Sequence, residues 1–160
     1  MKSLLITPLV ILALQAPLTA SADFEKGMAA YDAEDYATAL QELKKAAEQG
    51  HAKAQYNLAQ IYSNGRGVPE DDKEAVKWYR LAAEQGYASA QNNLGFMYGN
   101  GTGVPQDNVY SHMWFNNAAY KGHKNAKKNR DIIAERMTPS QIAEAQKLAR
   151  ECVAKEYKGC

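Results

Sequence analysis

The 36 residues GHAKAQYNLAQIYSNGRGVPEDDKEAVKWYRLAAEQ, from Gly50 to Gln85, decide the fold because the next 36 residues repeat them. Aligned without a gap, the second copy, from Gly86 to Lys121, is identical at 16 of 36 positions. Two unrelated segments of this length would share about two or three residues. A period of this size is typical of solenoid proteins, in which each unit buries its apolar face against its neighbours. The sequence therefore predicts a stacked array.

Each copy predicts a pair of helices, A and B. In the first copy, apolar residues at helical spacing predict helix A over residues 52–63 and helix B over residues 72–85. The small residues Ala54 and Ala59 of helix A allow another helix to approach closely. Trp78 lies on the apolar face predicted for helix B. The unit is therefore an all-α helix pair.

The loop between helices A and B recurs as a motif, Asn-Gly-x-Gly-Val-Pro, at residues 64–69 and 100–105. Its glycines adopt positive φ at low cost, and its proline prevents helix A from continuing. An aspartate follows each loop at the position expected for the N-cap of helix B. These aspartates share one phase of the repeat, which extends outward to the first segment: Asp35, Asp71 and Asp107.

The flanking segments are predicted to complete the array. Residues 23–49 form a first helix pair with a shorter loop, over residues 23–32 and 36–49. After Gly122 a third helix A begins, but no Gly-Val-Pro loop follows. Instead, Thr138 and the residues after it have the form of a capped helix start, and this helix is expected to run to about Tyr157. The predicted segments are 1–22, 23–49, 50–85, 86–121 and 122–160, the last carrying a C-terminal capping helix.

The first 22 residues have the form of a cleavable signal peptide. A short basic start, Met1-Lys2, precedes an apolar segment from Leu4 to Leu14, and Ala20-Ser21-Ala22 has the small-x-small form of a cleavage site. The apolar run is shorter than the roughly 20 residues of a membrane span, so an N-terminal anchor is the less favoured alternative. We therefore predict a periplasmic or secreted protein without stable membrane insertion after cleavage.

The charge balance argues against nucleic-acid binding. The chain has 19 Lys and Arg against 18 Asp and Glu, and loss of Lys2 with the leader leaves 19 − 1 = 18 against 18. Binding to a phosphate backbone requires clustered positive charge. One basic run does occur, at residues 121–130, while residues 23–48 are rich in acids. A solvated helical face is favoured for this run over a docking patch.

The two cysteines, Cys152 and Cys160, lie at the far C-terminus. In an exported protein they are expected to form a disulfide. The alternative, a redox-active pair, has the wrong spacing for Cys-x-x-Cys chemistry.

The sequence contains no recognisable catalytic or metal-binding motif. His51 and His123 share a helix-start phase, where a solvated polar role is favoured over metal ligation, and His112 is expected to pack beside Trp114. The Ser-x-x-Lys, Lys-Thr-Gly, His-Glu-x-x-His and Gly-x-Ser-x-Gly motifs are absent. We therefore predict a protein that is not an enzyme and has no catalytic residues, cofactor or metal. A cell-wall or β-lactam-related hydrolase is the alternative.

The pattern A-x-A-Q-x-N-L-x-x-x-Y-x-N-G-x-G-V-P…D…W-[YF]-x-x-A-A, at period 36, resembles the Sel1-like repeat family, a relative of the tetratricopeptide class. Residues 23–49 are similar to an ordinary tetratricopeptide unit. The resemblance implies a right-handed α/α superhelix and a role in holding protein partners, often in the bacterial envelope. One subfamily, with a disulfide in each repeat, is associated with penicillin binding. The full repeats here contain no Cys, so that property is not carried over.

The resemblance also implies where a partner would bind. Helix A lines the concave face of such arrays, and aromatic and polar residues on that wall suit an extended or helical peptide. The alternative is that the aromatic residues only pack between repeats. The repeated Asn57 and Asn93 could cap loop carbonyls or contact a ligand. The predicted partner-binding residues are Phe24, Met28, Tyr31, Tyr56, Gln60, Asn92, Phe96 and Lys128.

A structural module that self-associates end to end is a further alternative, in which the basic run of one copy meets the acidic first segment of another. The expected state is a monomer with at most weak self-association. Light scattering across a salt series separates the two: dimers that dissociate as salt is added support self-association, whereas a monomer at every ionic strength argues against it.

Overall fold

The computed structural model describes residues 9–160, with side chains from Leu18 onward. The predicted signal peptide, residues 1–22, therefore lies partly outside the described residues. Within residues 9–160 all regular secondary structure is helical, in eight α-helices. Their bounds are α1 Leu9–Asp32, α2 Tyr36–Glu48, α3 Ala52–Asn64, α4 Asp72–Ala83, α5 Ala88–Asn100, α6 Asn108–Tyr120, α7 Ala126–Ala134 and α8 Pro139–Ala154.

The helices pack in the order in which they follow one another. α1 pairs with α2, α3 with α4 and α5 with α6, and α2, α4 and α6 each pack on the helix that comes next. Small side chains make this possible, because alanines on the facing sides are fully buried: Ala39, Ala46, Ala54, Ala59, Ala75, Ala82, Ala90 and Ala118. Contacts between neighbouring units are the hallmark of a solenoid. The predicted all-α architecture is confirmed.

The first helix begins earlier than predicted. α1 starts at Leu9, not at residue 23, and runs through the predicted cleavage site. Ala20 is buried, and the Thr19 hydroxyl donates to Gln49 Oε1 at 2.6 Å. The Gln49 amide in turn donates to Asp23 at 2.9 Å. Thr19, which precedes the predicted cleavage site, therefore contacts the C-cap residue of α2.

The three aspartates that share one phase are the N-caps of helices α2, α4 and α6. Asp71 accepts from the backbone N–H groups of Lys73 and Glu74, both at 3.0 Å. Asp107 likewise accepts from the N–H groups of Val109 and Tyr110 in α6, and Asp35 accepts from the single N–H group of Thr38 in α2. Thr138 forms the predicted capping box with Gln141 at the start of α8. Satisfied first-turn donors explain why these helices begin where the sequence predicts.

The Asn-Gly-x-Gly-Val-Pro loops lie against the preceding helix pair. Gly67 and Gly103 have φ values of 71° and 68°, a left-handed conformation that favours glycine. A Cβ on Gly103 would lie 2.3 Å from the carbonyl oxygen of Asp72, and one on Gly67 would lie 2.3 Å from the Cβ of Tyr36. Each loop therefore contacts the first turn of the previous helix B more closely than any side chain would permit.

The C-terminal segment closes the array in an unexpected way. α8 packs on α6, as α7 also does, and makes little contact with α7 itself. The predicted disulfide between Cys152 and Cys160 is confirmed. It holds the tail, in which Tyr157 is buried and lies beside Gly86 and under the ammonium group of Lys121.

A buried carboxylate joins the first helix pair. The Glu42 side chain is 5% exposed and accepts from Lys26 Nζ of α1 at 2.8 Å and from Lys45 Nζ at 3.1 Å. The hydrogen bonds from Lys26 and then Lys45 lower the pKa of Glu42. An acid on the packing face of α2 is therefore held in its charged form.

The loop contact predicts that two glycines with positive φ differ in how much stability is lost when each is replaced by alanine. Gly103→Ala meets both the unfavourable φ and the Asp72 backbone, so we expect a loss of more than about 2 kcal/mol of unfolding free energy. Gly122→Ala is the matched control, because Gly122 has φ 84° but no atom within 4 Å of the added Cβ. Denaturant unfolding measures both. Equal losses for the two variants would contradict the close contact of the loop with α4.

The Glu42 cluster predicts a defined acid sensitivity. Because its folded pKa is lowered, Glu42 contributes stability above pH 4.5, the ordinary value for a glutamate, and loses that contribution as the pH falls through the folded value. Glu42→Gln should lower the melting temperature at neutral pH and flatten its fall below pH 4.5. The control is Glu74→Gln, which removes an exposed pair with Lys77 and should change little. Parallel pH profiles for wild type and Glu42→Gln would contradict this role.

Candidate partner-binding face

The A helices α3, α5 and α7 present one shared surface, which we call the A-helix face. It is defined by residues at two phases of the repeat: Tyr56, Asn92 and Lys128 at one, and Gln60, Phe96 and Ile132 at the other. Residues four apart on a helix share a side, so both phases lie along the same stripe. Hollows between α3 and α5 and between α5 and α7 open along it.

A series of asparagines connects adjacent A helices. Asn57 donates from Nδ2 to the Met28 sulfur of α1 at 3.1 Å. Asn129, two periods later, donates to Asn92 Oδ1 of α5 at 2.8 Å. Asn93, between them in sequence, lies beside the hydroxyl groups of tyrosines in the preceding pair. These asparagines therefore reach across repeats, and none of the three contacts is the capping of a loop carbonyl.

Tyrosines fill the wall between α3 and α5. The ring centroid of Tyr56 lies 5.7 Å from that of Tyr79 and 5.1 Å from that of Tyr87. Burial raises the pKa of Tyr79 to about 12, and burial followed by the nearby Tyr87 raises that of Tyr56. The Tyr56 hydroxyl also accepts from Gln60 at 3.1 Å. These phenols are neutral at physiological pH and act as packing groups with polar tips.

Phe96 stands out on this face because it is 45% exposed. Its ring contacts Phe115 edge-on, with centroids 5.1 Å apart. Ile132, at the same phase on α7, is 44% exposed. The hollow on the α3 side of Phe96 has a volume of about 200 Å³, and the hollow on its α7 side has a volume of about 90 Å³. Two uncovered apolar side chains therefore border two small cavities.

The second hollow is lined by two glycines of α5, Gly95 and Gly99, at positions where the first repeat has Ala59 and Ser63. A Cβ on Gly95 would lie 2.8 Å from the Phe115 ring, and one on Gly99 would lie 2.9 Å from Ser111 Oγ. Both glycines let α6 approach α5 closely. Phe115 and Arg136 both line the cavity between α5 and α7.

The predicted partner-binding residues divide into three groups by burial. Phe24 is 4% exposed and stacks on His51 at 4.6 Å, and Asn92 is 6% exposed and accepts from Asn129. These side chains lie in contacts between repeats. Met28, Tyr31, Tyr56 and Gln60 are half-buried, while Phe96 and Lys128 are exposed.

Two residues were missed by the sequence analysis: Ile132 of the A-helix face and Arg136, which lines the adjoining cavity. Ile132 shares the phase of Phe96, so the repeat alignment contained the signal for it. Arg136 lies beyond α7, where the repeat no longer holds, and no sequence signal indicated it. Gln55 and Gln91 also recur, and each donates from Nε2 to a carbonyl in the last turn of the preceding helix B, at 3.0 and 3.1 Å.

The charged residues of helices α3, α5 and α7 are mostly positive. α3 contains one charged residue, Lys53, and α5 contains none. α7 contains Lys127, Lys128 and Arg130 against one acid, Asp131, which pairs with Arg130 at 2.7 Å. The A-helix face is therefore basic toward the C-terminal end of the array.

Within residues 9–160 no group of His, Cys, Asp or Glu side chains has the arrangement of a metal site. His51 accepts from the Ala54 N–H and caps α3, while His112 is buried on α6. Burial, with Arg130 adding to it, lowers the pKa of His112. Among the described helices, none is long and apolar enough to cross a membrane.

The comparisons with known proteins agree with this geometry. The model of the Sel1 repeat matches the chain three times, at residues 32–51, 52–87 and 88–123. The second and third matches begin two residues after the periods that start at Gly50 and Gly86, and the first match covers part of the first helix pair. A comparison with curated proteins found no match.

Three solved structures share the fold. A protective antigen present in uropathogenic Escherichia coli strains, described as displaying an SLR fold, is 32% identical with a TM-score of 0.81, over 86% of this chain and 30% of its own. The chain thus spans under a third of that protein's length. A Sel1 repeat protein from Oxalobacter formigenes is 34% identical with a TM-score of 0.67, over 77% of this chain and 96% of its own.

The third structure, cysteine rich protein B of Helicobacter pylori, is 21% identical with a TM-score of 0.60, over 77% of this chain and 97% of its own. At that identity it supports the fold alone. The repeat matches cover more than half of the sequence, and the helix pairs, loops and caps follow the same period. This chain belongs to the Sel1 repeat family.

Proposed function

We propose that this protein is a non-enzymatic adaptor of the bacterial envelope, periplasmic or secreted, that binds a protein or peptide partner on its A-helix face. The observation that carries the proposal is the exposure of Phe96 beside Ile132 on α5 and α7. Large apolar side chains left uncovered next to each other mark interaction sites on soluble proteins. The Sel1 repeat fold is generally a scaffold for protein–protein interactions.

The size of the hollows favours a side-chain anchor over a small-molecule ligand. Their volumes are about 200 and 90 Å³, whereas sites for drug-sized ligands occupy about 300–1,000 Å³. A partner residue inserted beside Phe96 would contact the Phe115 ring and the bare backbone at Gly95. Anchors of this kind provide most of the binding energy of many interfaces.

The envelope location is supported by two features. The N-terminal sequence has the form of an export signal, and Cys152 and Cys160 form a disulfide, which persists in oxidising compartments. Fusion of the first 22 residues to a reporter active only after export tests this location, and mass spectrometry of the mature N-terminus tests cleavage after Ala22.

Site-specific crosslinking tests the binding face. A photo-crosslinking residue at position 96 should capture a partner in the native compartment, while the same residue at position 120 should not. Tyr120 is the control because it is 73% exposed and belongs to helix B α6, at neither of the two phases that define the A-helix face. Phe96→Ala combined with Ile132→Ala should abolish capture from a crosslinker at position 60 while leaving helicity unchanged.

Equal capture from positions 96 and 120, or capture that survives the double substitution, would exclude the A-helix face as the binding site. The exposed side chains at 96 and 132 are the ones to replace, because Tyr56, packed on two tyrosines, contributes to stability as well.

A further inference from the structure

We propose that the partner segment is acidic, and that it inserts an apolar side chain between α5 and α7 while its carboxylates pair with Lys128 and Arg136. This inference rests on the proposed function and specifies the chemistry of the ligand. It follows from the distribution of charge around the stripe where the exposed Phe96 and Ile132 border a cavity.

The cavity between α5 and α7 is the better anchor site of the two. It is lined mostly by apolar groups, including Phe96, Phe115, Ile132 and Ile133, and its volume of about 90 Å³ suits one aliphatic or aromatic side chain. The hollow on the other side of Phe96 is lined by polar groups such as Ser63, Asn93 and Asn100, together with Tyr79. An apolar side chain is therefore best accommodated toward α7.

Arg136 lines this cavity, and Lys128 lies on the same side of α7 as Ile132. Lys128 precedes Ile132 by four residues on α7, and Arg136 follows it by four and contributes to the lining. Both side chains are exposed, and within residues 9–160 neither forms an ion pair with an acid of the chain. Arg130, by contrast, is held by Asp131 and Asn116.

The A-helix face has few acidic residues that could pair with a cationic ligand. α3 and α5 contain no Asp or Glu, and Asp131 and the exposed Glu135 are the acids adjoining these two cations in sequence. Acids of the other helices, such as Glu74 on α4 and Glu151 on α8, lie on helices outside this face. Complementary charge steers encounter and sets specificity, so the face selects for carboxylates next to the anchor.

Fluorescence anisotropy with capped, labelled peptides tests this pairing on the whole mature chain. The probes are Asp-Glu-Phe-Asp-Glu, its neutral analogue Asn-Gln-Phe-Asn-Gln, its basic analogue Lys-Arg-Phe-Lys-Arg, and Asp-Glu-Ser-Asp-Glu, which lacks the anchor. We expect the first to bind tightest, with an affinity that falls as salt is raised from about 0.05 to about 0.5 M. The anchorless peptide should bind at least about tenfold more weakly.

Two substitutions connect the binding to the proposed residues. Lys128→Gln with Arg136→Gln should weaken the acidic peptide about three- to tenfold and remove most of its salt dependence. Lys77→Gln with Lys147→Gln is the matched control, because it removes the same charge from α4 and α8, where both side chains are exposed. That control should leave the affinity unchanged.

The outcomes separate this inference from the function on which it rests. A neutral or basic peptide that binds as tightly as the acidic one, or equal losses in the two double variants, overturns the charge selection while the crosslinking result at position 96 stands. Failure of every peptide to bind up to about 1 mM overturns the acidic occupant as well. Loss of crosslinking at position 96 would instead remove the proposed binding face itself.

Discussion

The contact between each Asn-Gly-x-Gly-Val-Pro loop and the preceding helix B sets how closely the repeats stack. Gly103 lies on the backbone of Asp72 and Gly67 lies on Tyr36, at distances that exclude a side chain. The two contacts are related by one period, so the same geometry is applied twice. Helices α3 and α5 are thereby placed side by side, and the surface around Phe96 results from that placement.

Polar side chains between the repeats fix how each repeat is aligned along the preceding one. Gln55 and Gln91 each bind a carbonyl of the preceding helix B, and Asn57 and Asn129 each bind a side chain of the preceding helix A. A buried donor left without a partner is costly, so these contacts disfavour sliding of one unit along the next. The apolar seam of small alanines would tolerate such sliding more readily. The alanines therefore let neighbouring helices pack closely, while the side-chain amides fix the position of one repeat along the next.

Much of the fold could be predicted from the sequence because its signals are local. The capping role of Asp71 and the turn at Gly103 depend on a few adjacent residues and recur in phase. The identity of the free surface was harder to predict. Phe24 and Phe96 were equal candidates as aromatic residues on an A helix, yet Phe24 is buried against His51 of the next pair while nearly half of the Phe96 side chain is exposed. The burial of Phe24 depends on a side chain about 27 residues away in sequence, so it could not be predicted from the residues near Phe24.

The C-terminal tail has a consequence for how the array comes apart. In a simple linear array each unit contacts only its neighbours, so either end can fray by itself. Here α8 rests on α6, and Tyr157 reaches back to the turn at Gly86, between α4 and α5, with its position held by the disulfide from Cys152. Unfolding of the C-terminal end must therefore break two contacts together, that of α8 with α6 and that of Tyr157 with the turn at Gly86. Loss of structure under denaturant or mechanical load should thus be directional, with the N-terminal helix pair opening first.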